Sequence, residues 1–173
     1  MATWTIDTAH SEIGFKVKHL VVSTASGKFT SFEGTLEAAN EDFSDGKVTF
    51  SADINSVNTG NEQRDAHLKS ADFFDADKFP KLTFVSTSVE KTGNDFKITG
   101  DLTLKGVTRS IVVFAEFGGI EKSLYGQTVA GFEVTTKINR QDFGLTWSAV
   151  TEAGGLVVAN DVRLQADVEL IKS

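Results

Sequence analysis

Four places in the sequence carry side chains able to do chemistry, and at each the spacing limits what that chemistry can be. The histidines are His10, His19 and His67. An imidazole-based metal site needs two of them on one face. On one uninterrupted strand the odd separation of His10 and His19 turns them to opposite sides, and no recognised zinc-ligand spacing is present. His10-Ser11, with Asp7 and Glu12 nearby, has the parts of a nucleophile system. Adjacent strand residues diverge, however, so His10 is poorly placed to take a proton from Ser11, and no Gly-x-Ser-x-Gly elbow occurs. A polar corner at the start of the first strand is the plainer reading.

Arg64-Asp65-Ala66-His67 is the densest ionisable cluster. Consecutive helical positions fan out, but Arg64 and His67, at i,i+3, share a face and could meet a phosphate. The structural alternative is that Arg64 and Asp65 tie the helix to neighbouring strands. Arg140-Gln141-Asp142-Phe143-Gly144 interrupts the alternation after Ile138. Arg140 and Asp142 could pair with the other cluster, or Arg140 could hold an anionic head group; a structural tie is again simpler. Neither Gly-x-Gly-x-x-Gly nor a Walker-type stretch occurs. No catalytic residue, cofactor or metal is assigned.

The elements that must position these residues are mostly strands, because the dominant period is two. Val162, Leu164, Ala166, Val168 and Leu170 fall on one side of the last segment, and Asp161, Arg163, Gln165, Asp167 and Glu169 on the other. Val48, Phe50, Ala52 and Ile54 alternate the same way over 47–54, as do Ile13, Phe15 and Val17. Further strands are predicted at about 27–38, 81–91, 95–105, 108–118 and 127–139, eight in all. Ser44-Asp45-Gly46, Gly93-Asn94 and Lys105-Gly106 supply hairpin turns, whereas Gly118-Gly119 and Gly154-Gly155 mark longer loops. Pro80 extends Phe79 into the strand beginning near Lys81. From Asn61 to about Phe74 alternation stops. With Asn61 as N-cap, Glu62 in the first turn and an Asp65–Lys69 pair, a short helix is predicted between the third and fourth strands.

Eight alternating strands and one short helix leave few ways to hide an apolar face, and hairpin-linked strands of even spacing favour an all-β, antiparallel eight-stranded barrel over a sandwich. A barrel of that size either fills with its own side chains or holds one small ligand. The 173 residues suit a single domain over 1–173. The 14 Phe bring apolar area without polar handles; they serve equally as packed core or as the wall of a hydrocarbon site. Alternation nominates Phe15, Val17, Phe50, Ile54, Phe84, Ile98, Leu102, Val113, Phe132, Val134, Phe143 and Leu164 as inward-facing, with Arg64, His67 and Arg140 at the mouth.

Composition excludes other classes. Seventeen Lys plus Arg against 24 Asp plus Glu give a net charge of −7, which argues against a nucleic-acid partner. The absence of cysteine removes disulfides, thiolate catalysis and thiolate-bound metals. No stretch reaches the roughly 20 apolar residues of a membrane span, and Met1-Ala2-Thr3-Trp4-Thr5-Ile6-Asp7 lacks the features of a secretory signal. The expectation is a cytoplasmic protein, or a periplasmic one if a leader has been trimmed.

Several of these stretches, taken in order, are similar to the YceI-like family: Trp4-Thr5-Ile6-Asp7 with His10-Ser11 and Phe15 through His19; Gly27 with Phe29; Arg64-Asp65-Ala66-His67-Leu68 with Ser70 and Asp72-Phe73-Phe74-Asp75; Phe79-Pro80 with Phe84 and Ser86; Gly100 through Thr108; and Arg140-Gln141-Asp142-Phe143-Gly144. The resemblance implies a lipocalin-like barrel whose apolar tunnel takes a polyisoprenoid or other long-chain amphiphile, frequent homodimers, and no catalytic residues. The function expected is non-enzymatic binding, transport or storage of a long-chain isoprenoid or fatty lipid. Two alternatives stay open: an enzyme using Arg64 and His67 on a lipid-like substrate, and a filled-core barrel acting as a protein-interaction module.

Overall fold

A computed structural model of the chain describes residues 2–19 (of His19, the backbone), 23–147 and 158–173. The strands are β1 (Ala2–Ile6), β2 (Glu12–His19), β3 (Ser23–Phe29), β4 (Phe32–Ala38), β5 (Lys47–Asp53), β6 (Val57–Asn58), β7 (Lys81–Thr92), β8 (Asp95–Leu104), β9 (Val107–Lys122), β10 (Thr128–Asn139) and β11 (Val158–Lys172), with one α-helix, α1 (Glu62–Lys69). All pairings among them are antiparallel, in the order β1-β4-β5-β7-β8-β9-β10-β11-β2-β3-β6, and β1 also pairs with β11. That last pairing, through Trp4↔Lys172, Thr5↔Ile171 and Ile6↔Leu170, closes the sheet on itself.

The eleven segments make eight staves. β1 and β2 are the halves of one bent strand, interrupted by a 3₁₀ turn at Thr8–His10; β3 and β4 are the halves of the next; β5 and β6 flank a second 3₁₀ turn at Ile54–Ser56. Each half pairs with the matching half of its neighbour, β1 with β4 and β2 with β3, β4 with β5 and β3 with β6. β11 is long enough to bridge the first break, pairing β2 from Val158 to Asp167 and β1 from Leu170 onward. The bends are held by side chains: the Asp7 carboxylate accepts from the Ala9 amide at 3.0 Å, and the Ser31 hydroxyl donates to Asp53 at 2.6 Å. The result is the closed, antiparallel eight-stranded barrel expected, with its short helix between the third and fourth staves.

Turn chemistry fixes the two ends. At the upper end, which carries α1, Lys105 and Gly106 adopt φ of 52° and 74°, the consecutive positive values that a tight β8–β9 hairpin needs. At the lower end, Gly93 at φ 62° starts the β7–β8 turn. Gly118-Gly119 is not a loop: both residues lie inside β9, which runs on to Lys122. Gly119, at φ 117°, sits opposite Gly131 where the β9–β10 register shifts. The pair accommodates a bulge instead of a chain reversal, as glycine's freedom at positive φ permits. The predicted Gly154-Gly155 loop lies outside the described residues.

The N-cap at Asn61 is as expected, its side chain accepting from the Arg64 amide at 3.0 Å. Asp65 is directed not to Lys69 but to Thr59, whose amide and hydroxyl both donate to its Oδ1, at 2.8 and 2.6 Å. α1 buries none of its residues fully; Leu68 packs against the upper core, and the His67 ring stands against Phe73 of that core.

Buried residues form two clusters. The upper holds Phe15, Phe29, Ile54, Phe73, Phe84, Leu102 and Phe143 among others, and the lower Trp4, Leu36, Phe43, Phe96, Ala130 and Leu170. Ile13, Val48, Phe50, Ile98 and Val134 touch both clusters yet are only partly buried. Phe50, Ile98 and Val134 point into the barrel, so what they are exposed to is an interior space.

Candidate functional site

That space consists of two adjoining cavities. The lower, of about 210 Å³, is lined by Phe50, Phe84, Ile98, Leu102, Val113, Phe132 and Val134, with Ile6, Ile13, Phe43 and Phe96 toward its lower end. The upper, of about 230 Å³, is lined by Phe15, Val17, Arg64, His67, Phe73, Phe74, Arg140 and Trp147. Phe29, Leu82 and Leu164 belong to both walls and form the waist between them. Together the two fall in the range of ligand pockets, roughly 300–1,000 Å³.

Room exists because large inward side chains face positions with none. A Cβ at Gly100 would stand 2.5 Å from the Phe84 ring, and one at Gly27 would stand 2.6 Å from the Phe15 ring. Each ring therefore occupies the space that a side chain at the neighbouring glycine would need, the large-against-small pattern of small barrels.

Of the residues nominated from sequence, the structure brings thirteen to these walls and leaves two away from them. Ile54 and Phe143, each about 1% exposed, sit in the 3₁₀ turns Ile54–Ser56 and Arg140–Phe143 and pack as solid core. Neither appears among the lining side chains of either cavity. Both fall where a 3₁₀ turn interrupts the strand, so alternation does not carry across to them. Phe43, Phe73, Phe74 and Trp147 line the cavities although alternation nominated none of them. All four lie in connecting segments that offer no period to read.

Three polar side chains at the upper cavity, Arg64, His67 and Arg140, are already engaged. Arg64 donates from Nε to the Thr59 hydroxyl at 2.8 Å and from Nη2 to the Thr59 carbonyl at 2.7 Å. His67 Nε2 lies 3.0 Å from Asp72 Oδ2, and its ring stands edge-on to Phe73 and Trp147 at centroid distances of 5.0 and 4.9 Å. Arg140, 2% exposed, donates to four backbone carbonyls, those of Leu145, Trp147, Ala159 and Val158, at 2.6, 2.7, 3.0 and 3.3 Å. Burial pulls its pKa below the ordinary arginine value. It is the tie between the 140–147 segment and the start of β11, so its guanidinium faces carbonyls.

Among the described residues lining either cavity, no serine hydroxyl is hydrogen-bonded to a histidine. At the polar corner, His10 Nδ1 lies 2.8 Å from Asp7 Oδ2, while the Ser11 hydroxyl is bound to the Glu169 backbone; the two residues part as adjacent positions should. The hydrogen bond to Asp7 raises the His10 pKa, with the Asp7 and Glu169 charges adding to it, and the same bond lowers that of Asp7. Asp7, His10 and Glu169 each offer a ligand atom within 4.8 Å of the others, a grouping hidden in sequence because β11 alone brings Glu169 to the corner. Asp7 already spends both oxygens, on Ala9 and on His10.

A Staphylococcus aureus relative, UPF0312 protein SAS2572 of strain MSSA476, is 42% identical over 170 residues, covering 98% of this chain and 97% of its own. A solved Campylobacter jejuni YCEI protein is 36% identical, covers 96% of both chains and superposes with a TM-score of 0.76. A polyisoprenoid binding domain from Saccharophagus degradans, implicated in plant cell wall breakdown, shares the fold at 17% identity, with a TM-score of 0.72 and 98% coverage of each chain. The sequence model of the YceI-like domain matches residues 4–170. With that span and those relatives, the chain belongs to the YceI-like family.

Proposed function

We propose that the protein binds one long-chain amphiphilic lipid, an isoprenoid or similar chain, along the barrel axis, and carries or stores it without changing it chemically. The observation that carries this reading is the pair of apolar cavities sharing Phe29, Leu82 and Leu164: an unfilled, elongated and almost wholly apolar interior suits a tail better than a compact polar substrate. Fold likeness to a polyisoprenoid binding domain supports the isoprenoid class.

Magnitudes place the tail first. Each buried methylene contributes roughly 0.8 kcal/mol, so a five-carbon isoprene unit contributes about 3–4 kcal/mol before ordering and association costs. Several units outweigh any head-group contact. Arg64, His67, Thr59 and Lys18 stand around the upper cavity and the lower has next to no polar lining, so the head lies at the upper end and the tail points down. Arg64 and His67, held in place by their bonds to Thr59 and Asp72, set the shape of the upper opening that orients the head.

The experiment is a thermal melt with excess geranylgeraniol, followed by organic extraction. Ligand at about a hundred times its dissociation constant adds about 2.7 kcal/mol, so the melting temperature rises, and the alcohol is recovered unchanged from wild type and from His67→Ala. No rise overturns the binding reading. Product formed by wild type and lost in His67→Ala would make the protein an enzyme instead.

A further inference from the structure

At the lower end of the cavity one side chain reaches across the barrel. Phe43 belongs to the 39–46 connection between β4 and β5, yet its ring stands edge-on to Trp4 on β1, Phe117 on β9 and Phe132 on β10, at centroid distances of 5.3, 5.8 and 5.6 Å. In the strand order, β9 and β10 lie across the barrel from β4 and β5. The ring therefore crosses the lower opening, and it also lines the cavity above.

The loop holds it there. Phe43 is the large buried side chain of a mostly polar connection and takes a φ of 62°, a conformation that few residues adopt without fixed surroundings. The Asp45 carboxylate accepts from the amides of Ala39 and Asn40 at 2.9 and 3.0 Å, Asp42 accepts from the Ser44 amide at 3.0 Å, and the Gly46 amide donates to the Phe43 carbonyl at 3.0 Å. A Cβ at Gly46 would meet Leu36 at 2.9 Å and the Phe43 carbonyl oxygen at 3.0 Å, so the loop closes this tightly only with glycine there.

We infer that Phe43 is a chain-length stop: the rigid floor against which the tail end of a bound lipid abuts, setting the longest chain accepted. The inference rests on the ligand reading above. A tail that stops short of the ring leaves apolar space unfilled, and one that is too long must displace a ring packed against three others. Affinity should climb with each isoprene unit until the tail reaches Phe43, then fall.

The test compares the full chain as wild type, Phe43→Ala and Phe43→Trp. Linear all-trans prenyl alcohols from farnesol to solanesol compete with cis-parinaric acid, and circular dichroism checks the fold. In wild type the gain per unit ends abruptly at one length. In Phe43→Ala, where truncation opens space at the floor, that limit moves longer by about one unit while farnesol competes as before; in Phe43→Trp it moves shorter. Should Phe43→Ala fail to fold, the shortened limit in Phe43→Trp carries the result. One common limit in all folded proteins, or none, overturns the floor and leaves lipid binding standing. No binding of parinaric acid or any prenyl alcohol by wild type brings down both.

Discussion

Arg140 is a cation buried against carbonyls alone, and its environment makes a sharp claim about what it is for. Replacing it with Met leaves the buried carbonyl bond to Leu145 and the part-buried ones to Trp147, Val158 and Ala159 without their donor. An orphaned buried polar group costs about 1–3 kcal/mol, and solvent can repair the less enclosed ones, so Arg140→Met is expected to lose about 3–4 kcal/mol in urea denaturation. Were Arg140 a head-group ligand instead, affinity would fall and stability would not. His10 and Asp7 make a second claim at this scale. The Asp7 carboxylate raises the His10 pKa above 6.5 and its own is held below 3.8. The lowered acid favours the fold above its ordinary value and loses that contribution as pH falls through the folded-state value. The raised imidazole favours the fold below 6.5 and loses its contribution as pH rises through the folded-state value. The pair is thus intact in the mildly acidic window between them, and an imidazole NMR titration should show the His10 pKa falling back toward 6.5 in Asp7→Asn. An unmoved titration would mean the contact does not form in solution.

Among the elements, the inner wall depends on where side chains are missing. Gly100→Ala drives a Cβ to 2.5 Å from the Phe84 ring and 2.7 Å from the Val85 carbonyl oxygen. Overpacking of this kind costs about 1–3 kcal/mol, and the ring can yield only toward the cavity, so lipid affinity should fall along with stability. Gly131→Ala meets nothing within 4 Å and is expected to be neutral or stabilising by up to about 1 kcal/mol, through loss of unfolded-state freedom. Denaturation of the two variants checks the contrast. These same elements show what could be read from residues alone. Val162, Leu164, Ala166, Val168 and Leu170 alternate over an unbroken β11, and the two-residue turns at Gly93 and Lys105 fixed hairpins, so strand number, antiparallel order and closure were legible. Ile54 and Phe143 sit in 3₁₀ turns; even where the break in alternation is visible, as at Arg140-Gln141-Asp142-Phe143-Gly144, the residues do not say which way a side chain points beyond it. Phe43, Phe73 and Trp147 escaped for the converse reason: an irregular segment aims a side chain through its particular torsions and hydrogen bonds, which pattern does not encode. Paired glycines such as Gly118-Gly119 suit a loop and a bulge equally, and only the partner strand decides between them.

At the scale of the whole molecule, closing the sheet removes exposed strand edges from the ring and leaves the interior as the place where apolar contacts are unmade. The half-buried Phe50, Ile98 and Val134 lie between two well-packed clusters and line the interior space. A bound lipid should then stabilise the fold by mass action, and stripping it should lower the melting temperature without unfolding the barrel. The most direct measurement of this central claim is native mass spectrometry of protein purified without detergent, with organic extraction of the same sample. A stoichiometric adduct of one prenyl or acyl chain is expected, released by solvent and rebound with a rise in melting temperature. A bare protein mass, together with no thermal gain from any long-chain prenyl or acyl compound, would contradict it.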